Sequence, residues 1–203
     1  MAFIKGVTPN DATPEVRAMY ARQQSAWGYI PNYAKAFSLR PEVLARWGQL
    51  QAEIRRPMDN RRFELVTFAA ALELRSSACA LAHGKKLTDF FAEEEVLALA
   101  ERGSMAALTE AERAMISFSR KIARDASKVT AGDVDALRAQ GLSDAEIFDI
   151  AATAAGRAFF TKLLDGLGVE PDAAFLGLGP ELRKSLTVGR PIDFREPEKM
   201  PVD

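Results

Sequence analysis

The chain has one cysteine and one histidine, Cys79 and His83, and they lie four residues apart. Side chains at this spacing project from the same face of an α-helix, with Cβ atoms about 5–6 Å apart. A thiolate is a strong nucleophile, and an imidazole one helical turn away can exchange a proton with it or hold it in place. The pair therefore indicates thiol chemistry, with Cys79 as nucleophile and His83 as proton-transfer partner.

Ser76 and Glu64 are predicted to complete the same site. Ser76 lies three residues before Cys79 and therefore on the same helical face. If Ser76 or Ser77 is the N-cap, Cys79 falls in the first turn, where backbone N–H groups and the helix dipole stabilise a thiolate. Glu64, fifteen residues before Cys79, is an acid among apolar neighbours and suits a proton relay to His83.

Each of these residues also has a purely structural interpretation, and the sequence leaves both open. A lone cysteine is commonly a small buried hydrophobic side chain, and a histidine on a helix face can simply bond a carboxylate. Ser76 is more typical of a helix cap than of a catalyst. Glu64 has three nearby arginines as alternative partners: Arg61, Arg62 and Arg75.

The aromatic residues and the metal-ligand types add no second site. Trp27, Tyr29, Tyr33 and Trp47 are predicted to be packing or interface aromatics rather than a box around a substrate. One cysteine, one histidine and one glutamate supply three potential ligands, but zinc sites usually draw on a richer set of cysteines and histidines. We therefore expect neither a metal nor a cofactor.

Composition and charge exclude several classes of protein. The 27 basic and 28 acidic side chains give a net charge of −1, which provides no attraction to nucleic acid or to an anionic membrane. No window approaches the roughly 18 consecutive apolar residues of a membrane span, and no apolar stretch of signal-peptide length opens the chain. A single cysteine forbids an internal disulfide, which suits a reducing compartment, so cytoplasmic localisation is expected.

Helix signals recur along the chain, whereas strand signals do not. The predicted helices span about residues 14–25, 32–39, 41–56, 61–75, 79–91 and 93–102. Others begin after Thr109, Thr130 and Ser143, and the last of these ends near Gly166. No repeat and no Gly/Ser linker divides the sequence. These features predict one all-α domain over residues 1–203.

Two segments of this domain are distinguished by composition. The motif region, residues 60–91, contains every candidate site residue. The C-terminal arm, residues 180–203, is rich in proline and is predicted to form a short helix followed by an extended stretch. Arms of this kind often pack on a neighbouring subunit, and a frayed terminus is the alternative.

At these residues the sequence resembles the AhpD-like, carboxymuconolactone decarboxylase superfamily, and in particular its longer peroxidase-related members. The thiol branch carries a glutamate followed by Cys-x-x-Cys-x-x-x-His, and Glu64, Cys79 and His83 match its glutamate, second cysteine and histidine at the same separations. Residues 28–47, 142–148 and 167–172 are also similar to segments of that subgroup. The resemblance implies an AhpD-like helical bundle and a homo-oligomer.

The sequence departs from the motif at its first cysteine, which is Ser76 here, and at the position before the second, which is Ala78. The family's peroxidase cycle uses both thiols, so this chain cannot close the disulfide internally. The resemblance then implies a one-cysteine cycle, in which Cys79 reduces a small-molecule peroxide and an external thiol reductant restores it. Ser76 would at most donate a hydrogen bond or cap the helix.

Two other functions remain open at this point. One is a lyase or isomerase of the decarboxylase branch, acting on a small carboxylated substrate. That branch does not depend on two cysteines, but it needs a cationic pocket, for which Arg75, Lys85 and Lys86 are candidates by proximity. The other is a non-catalytic helical oligomer that kept the scaffold and lost the reaction.

Overall fold

The computed structural model describes residues 2–101 and 106–200, and within them it contains ten α-helices and no strands. The helices are α1 (Pro14–Trp27), α2 (Asn32–Phe37), α3 (Pro41–Arg55), α4 (Asn60–Glu73), α5 (Ser77–Leu87), α6 (Glu93–Ala100), α7 (Glu110–Asp125), α8 (Ala131–Arg138), α9 (Asp144–Gly166) and α10 (Pro180–Leu186). Two short 3₁₀ turns, Ala126–Lys128 and Ala173–Gly177, follow α7 and α9. The predicted all-α class is confirmed.

Capping residues explain where several helices begin. The side chains of Thr13, Asp59, Thr109 and Ser143 each accept a hydrogen bond from a backbone N–H of the first turn. Such bonds satisfy donors that have no partner within the helix. The boundaries differ from the prediction mainly at α5, which begins two residues before Cys79 and ends at Leu87 rather than near residue 91. The predicted end of α6 at Arg102 and Gly103 lies outside the described residues.

Helix α4 is the centre of the bundle and packs against α5, α7 and α9. Ten consecutive residues of α4, from Phe63 to Leu72, are buried, so the helix is surrounded on every side. Its apolar side chains divide between two core clusters, one shared with α5, α6 and α10 and the other with α7 and α9. Glu64 is the one ionisable side chain in this buried run, so it requires a polar partner inside the protein.

The turn between α4 and α5 fixes the position of the predicted nucleophile. Arg75 adopts φ 57°, and the N–H groups of Arg75 and Ser76 donate to the carbonyls of Leu72 and Ala71. This is the hydrogen-bond pattern of a Schellman motif, in which the left-handed position is normally glycine. The motif reverses the chain within a few residues, so that α5 packs back against α4.

The C-terminal arm packs along its own chain through residue 200. Helix α10 contacts α5 and α6, and the Gly189 N–H donates to Ser77 Oγ at 2.8 Å. Further along, the Asp193 N–H donates to the Pro171 carbonyl, and the Glu198 carbonyl accepts from the Ile30 N–H. These hydrogen bonds and the burial of Ile192 show that the described part of the arm is not a frayed terminus. Residues 201–203 lie outside the described residues.

Gly189→Ala is expected to loosen this arm. A Cβ at position 189 would lie 2.1 Å from the Arg75 carbonyl oxygen, a backbone atom that cannot move aside without disturbing the turn before α5. We expect a loss of about 1–3 kcal/mol in the free energy of unfolding, measured by chemical denaturation. Gly166→Ala is the matched control, because its Cβ would meet no atom within 4 Å. Equal stability of the two variants would contradict the tight docking of the arm.

Across residues 2–101 and 106–200, none of the helices combines the length and the apolar character that a membrane span requires.

Candidate functional site

Cys79, His83 and Glu64 line one cavity of about 480 Å³. Helix α4 contributes Glu64, α5 contributes Cys79 and His83, and α9 contributes Arg157 to the same wall. The volume is in the range of ordinary small-molecule sites. Three of the four predicted site residues are therefore brought together, while their chemical roles stay predictions.

Glu64 takes His83 as its partner. The Glu64 Oε2 atom lies 2.6 Å from His83 Nδ1, and the carboxylate is 6% exposed. Two of the arginines considered as alternatives are engaged elsewhere: Arg61 pairs with Glu112, and Arg62 pairs with Glu146. A carboxylate on Nδ1 fixes the ring orientation and, in the neutral imidazole, places the proton on Nδ1. The second nitrogen, Nε2, then keeps its lone pair for proton transfer.

His83 is held in the neutral form. Burial lowers its pKa below the ordinary value of 6.5, the charge of Arg157 lowers it further, and the bond to Glu64 opposes both. The imidazole of a neutral His83 can accept a proton but supplies no positive charge to its surroundings. Any cation that acts on the sulfur must therefore come from another residue.

Cys79 is the third residue of α5, within its first turn, and is 4% exposed. The Sγ atom lies 3.8 Å from Nη1 of Arg157, which is a long hydrogen bond to sulfur. Arg157 comes from α9, 78 residues further along the chain, and is itself 7% exposed. No spacing rule in the sequence indicates this contact, and Arg157 was missed by sequence reasoning.

Ser76 occupies the predicted N-cap position of α5, but its side chain makes no cap hydrogen bond. Burial raises the pKa of the Asp165 carboxyl, and a hydrogen bond with the Ser76 hydroxyl opposes that effect. The residue is 1% exposed and does not line the cavity. The Ser76 side chain therefore does not contribute to the cavity in this chain.

Aromatic side chains form part of the cavity wall, including two that the sequence interpretation assigned to packing. Trp27 and Tyr33, predicted to be packing residues, line the cavity together with Phe63, Phe160 and Phe175. Trp47 does serve packing, because its ring contacts those of Phe159 and Phe160 at 5.0 and 6.1 Å. The five aromatic residues that line the cavity come from five separate elements, so a linear sequence does not show that they share one surface.

The positively charged residues that line the cavity are only partly those expected from their nearness to Cys79 in the sequence. Arg157, Arg55 and Lys86 line it, whereas Arg75 and Lys85 do not. Arg55 is exposed, places its guanidinium 5.0 Å from the centre of the Phe63 ring, and donates to Asn60 Oδ1. Among the three, Arg157 alone is buried.

Asp172 is a further carboxyl on the cavity wall, one that the sequence did not single out. Burial raises its pKa from 3.8 to about 6, although the Asn32 backbone N–H donates to its Oδ1 atom at 2.7 Å. The nearby Asp193 differs, because its hydrogen bond with Arg195 lowers its pKa to about 2. Asp172 therefore carries a destabilising charge at neutral pH in a position that faces the cavity.

Asp172→Asn is expected to stabilise the protein at pH 8 but not at pH 4. The folded protein binds the Asp172 proton more tightly than the unfolded chain, so wild-type stability falls as the pH rises from about 4 to about 6. The amide has no such charge and can still accept from Asn32, so the gain is on the order of 1–3 kcal/mol at pH 8. Denaturant unfolding at both pH values measures it, and a gain of the same size at pH 4 would contradict the assignment.

Within residues 2–101 and 106–200, no group of three His, Cys, Asp or Glu side chains is arranged to hold a metal ion. The cavity itself combines one thiol, one imidazole and carboxyl groups with a guanidinium. This set suits nucleophilic and proton-transfer chemistry.

The fold is that of AhpD-like helical proteins, as the sequence resemblance implied. The chain is similar to the AhpD core of an uncharacterised peroxidase-related protein from Ralstonia eutropha JMP134. The two share 19% identity with a TM-score of 0.71, and the match covers 93% of this chain and 98% of the other. A peroxidase-related protein from Silicibacter sp. TM1040 gives 20% identity and TM-score 0.72, over 84% of this chain and 92% of the other.

A third similar structure belongs to the debrominase Bmp8, with 16% identity, TM-score 0.69 and coverage of 90% and 95%. A cysteine-to-alanine variant of that protein was crystallised with 2,3,4-tribromopyrrole. No protein-family model and no curated protein matches the sequence. At these identities the likenesses establish the fold and leave the activity open.

Proposed function

We propose that the protein is an AhpD-like thiol oxidoreductase that reduces organic peroxides through Cys79 alone. The observation that carries this proposal is the convergence of the Cys79 thiol, the bonded His83–Glu64 pair and a buried guanidinium on one cavity. The likeness to peroxidase-related structures supports the same class of reaction.

The reaction proceeds in two balanced steps. The Cys79 thiolate attacks one oxygen of the peroxide, an S–O bond forms, the O–O bond breaks, and the leaving alkoxide takes a proton to become an alcohol. Cys79 is thereby oxidised to a sulfenic acid. Two molecules of an external thiol then restore the thiol, yielding one disulfide and one water. The proton comes from the medium by way of His83 Nε2, which first accepts it and then passes it to the alkoxide, while Glu64 orients the ring.

The size and lining of the cavity favour an organic substrate over hydrogen peroxide. A cavity of about 480 Å³ whose lining includes five aromatic residues and several aliphatic ones binds a compact apolar body better than it binds a small polar molecule. Two cavity residues also carry buried N–H groups without a hydrogen-bond partner among the described residues, Gln51 Nε2 and Arg157 Nε. Such donors are available to an oxygen atom of the substrate.

The direct test is the intact mass of the protein after brief treatment with cumene hydroperoxide in the presence of a sulfenic-acid trap. We expect one adduct per chain at Cys79, and faster modification than with hydrogen peroxide at equal concentration. Recovery of the original mass on adding dithiothreitol to an untrapped sample completes the cycle. A chain that stays unmodified while remaining folded would refute the peroxide-reducing function and favour the non-catalytic alternative.

Reductive removal of bromide from a small aromatic ring is a second candidate. It is favoured by the aromatic lining around a single cysteine and by the likeness to a debrominase. The overall reaction converts an aryl bromide and two thiols into the arene, one disulfide and hydrogen bromide, and so uses the same external reductant. Bromide release from 2,3,4-tribromopyrrole with dithiothreitol tests it, and no release above that of the Cys79→Ala variant would exclude it.

A lyase or isomerase reaction on a small carboxylated substrate is a third candidate. It differs from peroxide reduction and from debromination because it does not need the Cys79 thiol. Arg157 and Arg55 provide cations in the cavity for a carboxylate. Activity that survives Cys79→Ala and is lost in His83→Ala would favour this function over thiol chemistry.

We also propose that the chain forms a homo-oligomer through α9 and its neighbour α3. On α9, Phe148 is 69% and Phe159 46% exposed, and on α3 Leu50 is 53% exposed. Large apolar side chains at this exposure commonly mark contact surfaces. Sedimentation velocity gives the oligomeric state, and dissociation by Phe159→Ser would support this surface as the interface.

A further inference from the structure

Arg157 is a buried cation that lacks a carboxylate partner among the described residues. The side chain is 7% exposed, and the Nε atom of its guanidinium has no hydrogen-bond partner in that part of the chain. A buried charge is costly unless another group compensates it. A negatively charged group beside Arg157 would supply that compensation.

The sulfur of Cys79 is the group in position to be that anion. Nη1 of Arg157 lies 3.8 Å from Sγ, and the Phe160 ring centre lies 5.9 Å from the guanidinium carbon. A ring face attracts a cation only weakly compared with a full negative charge. Of these two contacts, only the sulfur can become negatively charged.

Other ionisable groups also line the cavity, but among the described side chains the Cys79 sulfur is the one that lies within hydrogen-bond distance of the Arg157 guanidinium. Burial lowers the pKa of His83, so its imidazole is neutral and already bonded to Glu64. The remaining charged or titratable groups that line the cavity are Arg55, Lys86, Glu170, Asp172 and Tyr33. Burial raises the pKa of Tyr33 to about 12, so this phenol is neutral. Arg55 is exposed, and screening by solvent weakens its effect on the sulfur.

We propose that Arg157 is the fixed counter-ion that holds Cys79 as a thiolate, so that α9 activates the nucleophile carried by α5. The thiol proton passes to the medium, and the negative sulfur remains beside the positive guanidinium. This inference rests on the proposed thiol function, because it assigns the activating residue of the same site. Arg157 is a positioning and activating residue in this scheme, with Cys79 the reacting one.

The test is the rate at which iodoacetamide alkylates Cys79 across a range of pH in the full chain. Alkylation forms an S–C bond, expels iodide and requires the thiolate, and the single cysteine makes intact mass an unambiguous readout. The neutral variants are Arg157→Met and Arg157→Gln. Arg157→Lys tests rescue by charge, and Arg55→Met is a matched control that removes a cation of the same cavity.

We expect the midpoint of the pH–rate profile to rise in both neutral variants, so that alkylation below the wild-type midpoint slows about tenfold or more. Lysine should recover part of that loss, and Arg55→Met should shift the midpoint much less. An unchanged midpoint in a folded neutral variant, or an equal shift in Arg55→Met, would overturn the proposal. If neither neutral variant folds, Arg157 has a structural role, and this result would also overturn the proposal.

Because alkylation needs no peroxide, this measurement is independent of turnover. The midpoint of alkylation could rise in the neutral Arg157 variants as expected while peroxide does not oxidise Cys79. That result would reject the proposed function but support the Arg157–Cys79 ion pair. The Arg157→Met variant could instead still reduce peroxide and show an unchanged midpoint in the pH–rate profile of alkylation. That result would reject the ion pair and support the proposed function.

Discussion

Replacing Cys79 with serine is expected to reduce peroxide consumption to the rate of buffer containing the external thiol. Serine keeps the size and the buried position of the side chain, but its oxygen cannot be oxidised by a peroxide. The chain has no second cysteine to take over the reaction. Consumption of cumene hydroperoxide is measured with dithiothreitol as reductant, and circular dichroism verifies that the variant is folded.

Ser76→Ala is the matched control for this experiment. Ser76 lies outside the cavity and does not form the cap hydrogen bond of α5, so its removal should leave most of the rate intact. A loss in Ser76→Ala as large as that in Cys79→Ser would show that the motif's first position still takes part in the reaction. Full activity of Cys79→Ser would reject thiol chemistry altogether.

His83→Gln is expected to lower kcat/KM by about 10²- to 10⁴-fold, the usual contribution of a general acid–base group. The glutamine can hydrogen-bond Glu64 but cannot transfer a proton at neutral pH. Glu64→Gln should cause a smaller loss, because the imidazole remains and loses only its orienting carboxylate. Steady-state kinetics with an organic hydroperoxide provide the comparison.

The double variant Glu64→Gln/His83→Gln distinguishes a relay from two independent effects. If Glu64 acts only through His83, the double variant should be no slower than His83→Gln alone. Multiplicative losses would instead show that Glu64 contributes separately, for example through the stability of the buried α4. Denaturant unfolding of all three variants separates those contributions from the kinetic ones.

Helix positions were accessible from the sequence because they depend on neighbours within a few residues. Cap residues such as Thr109 and Ser143 and prolines such as Pro14 and Pro41 mark helix starts through local hydrogen bonding and fixed φ. The end of α5 at Leu87 was harder to predict, since the apolar pattern continues into the turn that follows it.

Only part of the site could be recognised in the same way. The spacing of Cys79 and His83 specifies a shared helical face, and the motif spacing suggested Glu64 as a third member. Whether Glu64 would bond His83 or an arginine depended on how α4 and α5 cross. The Schellman turn at Arg75 settles that geometry, and a left-handed arginine gives no signal in the sequence.

An all-α chain with a thiol and an imidazole on one helix face follows from local spacing, because helical periodicity acts over about four residues. The contact of Arg157 with a sulfur 78 residues away, and the placing of Asp172, Trp27 and Tyr33 on the cavity wall, depend on how the helices pack. Those contacts arise from the packing of whole helices around α4. The interlocking of many buried side chains decides that packing, and no local spacing encodes it.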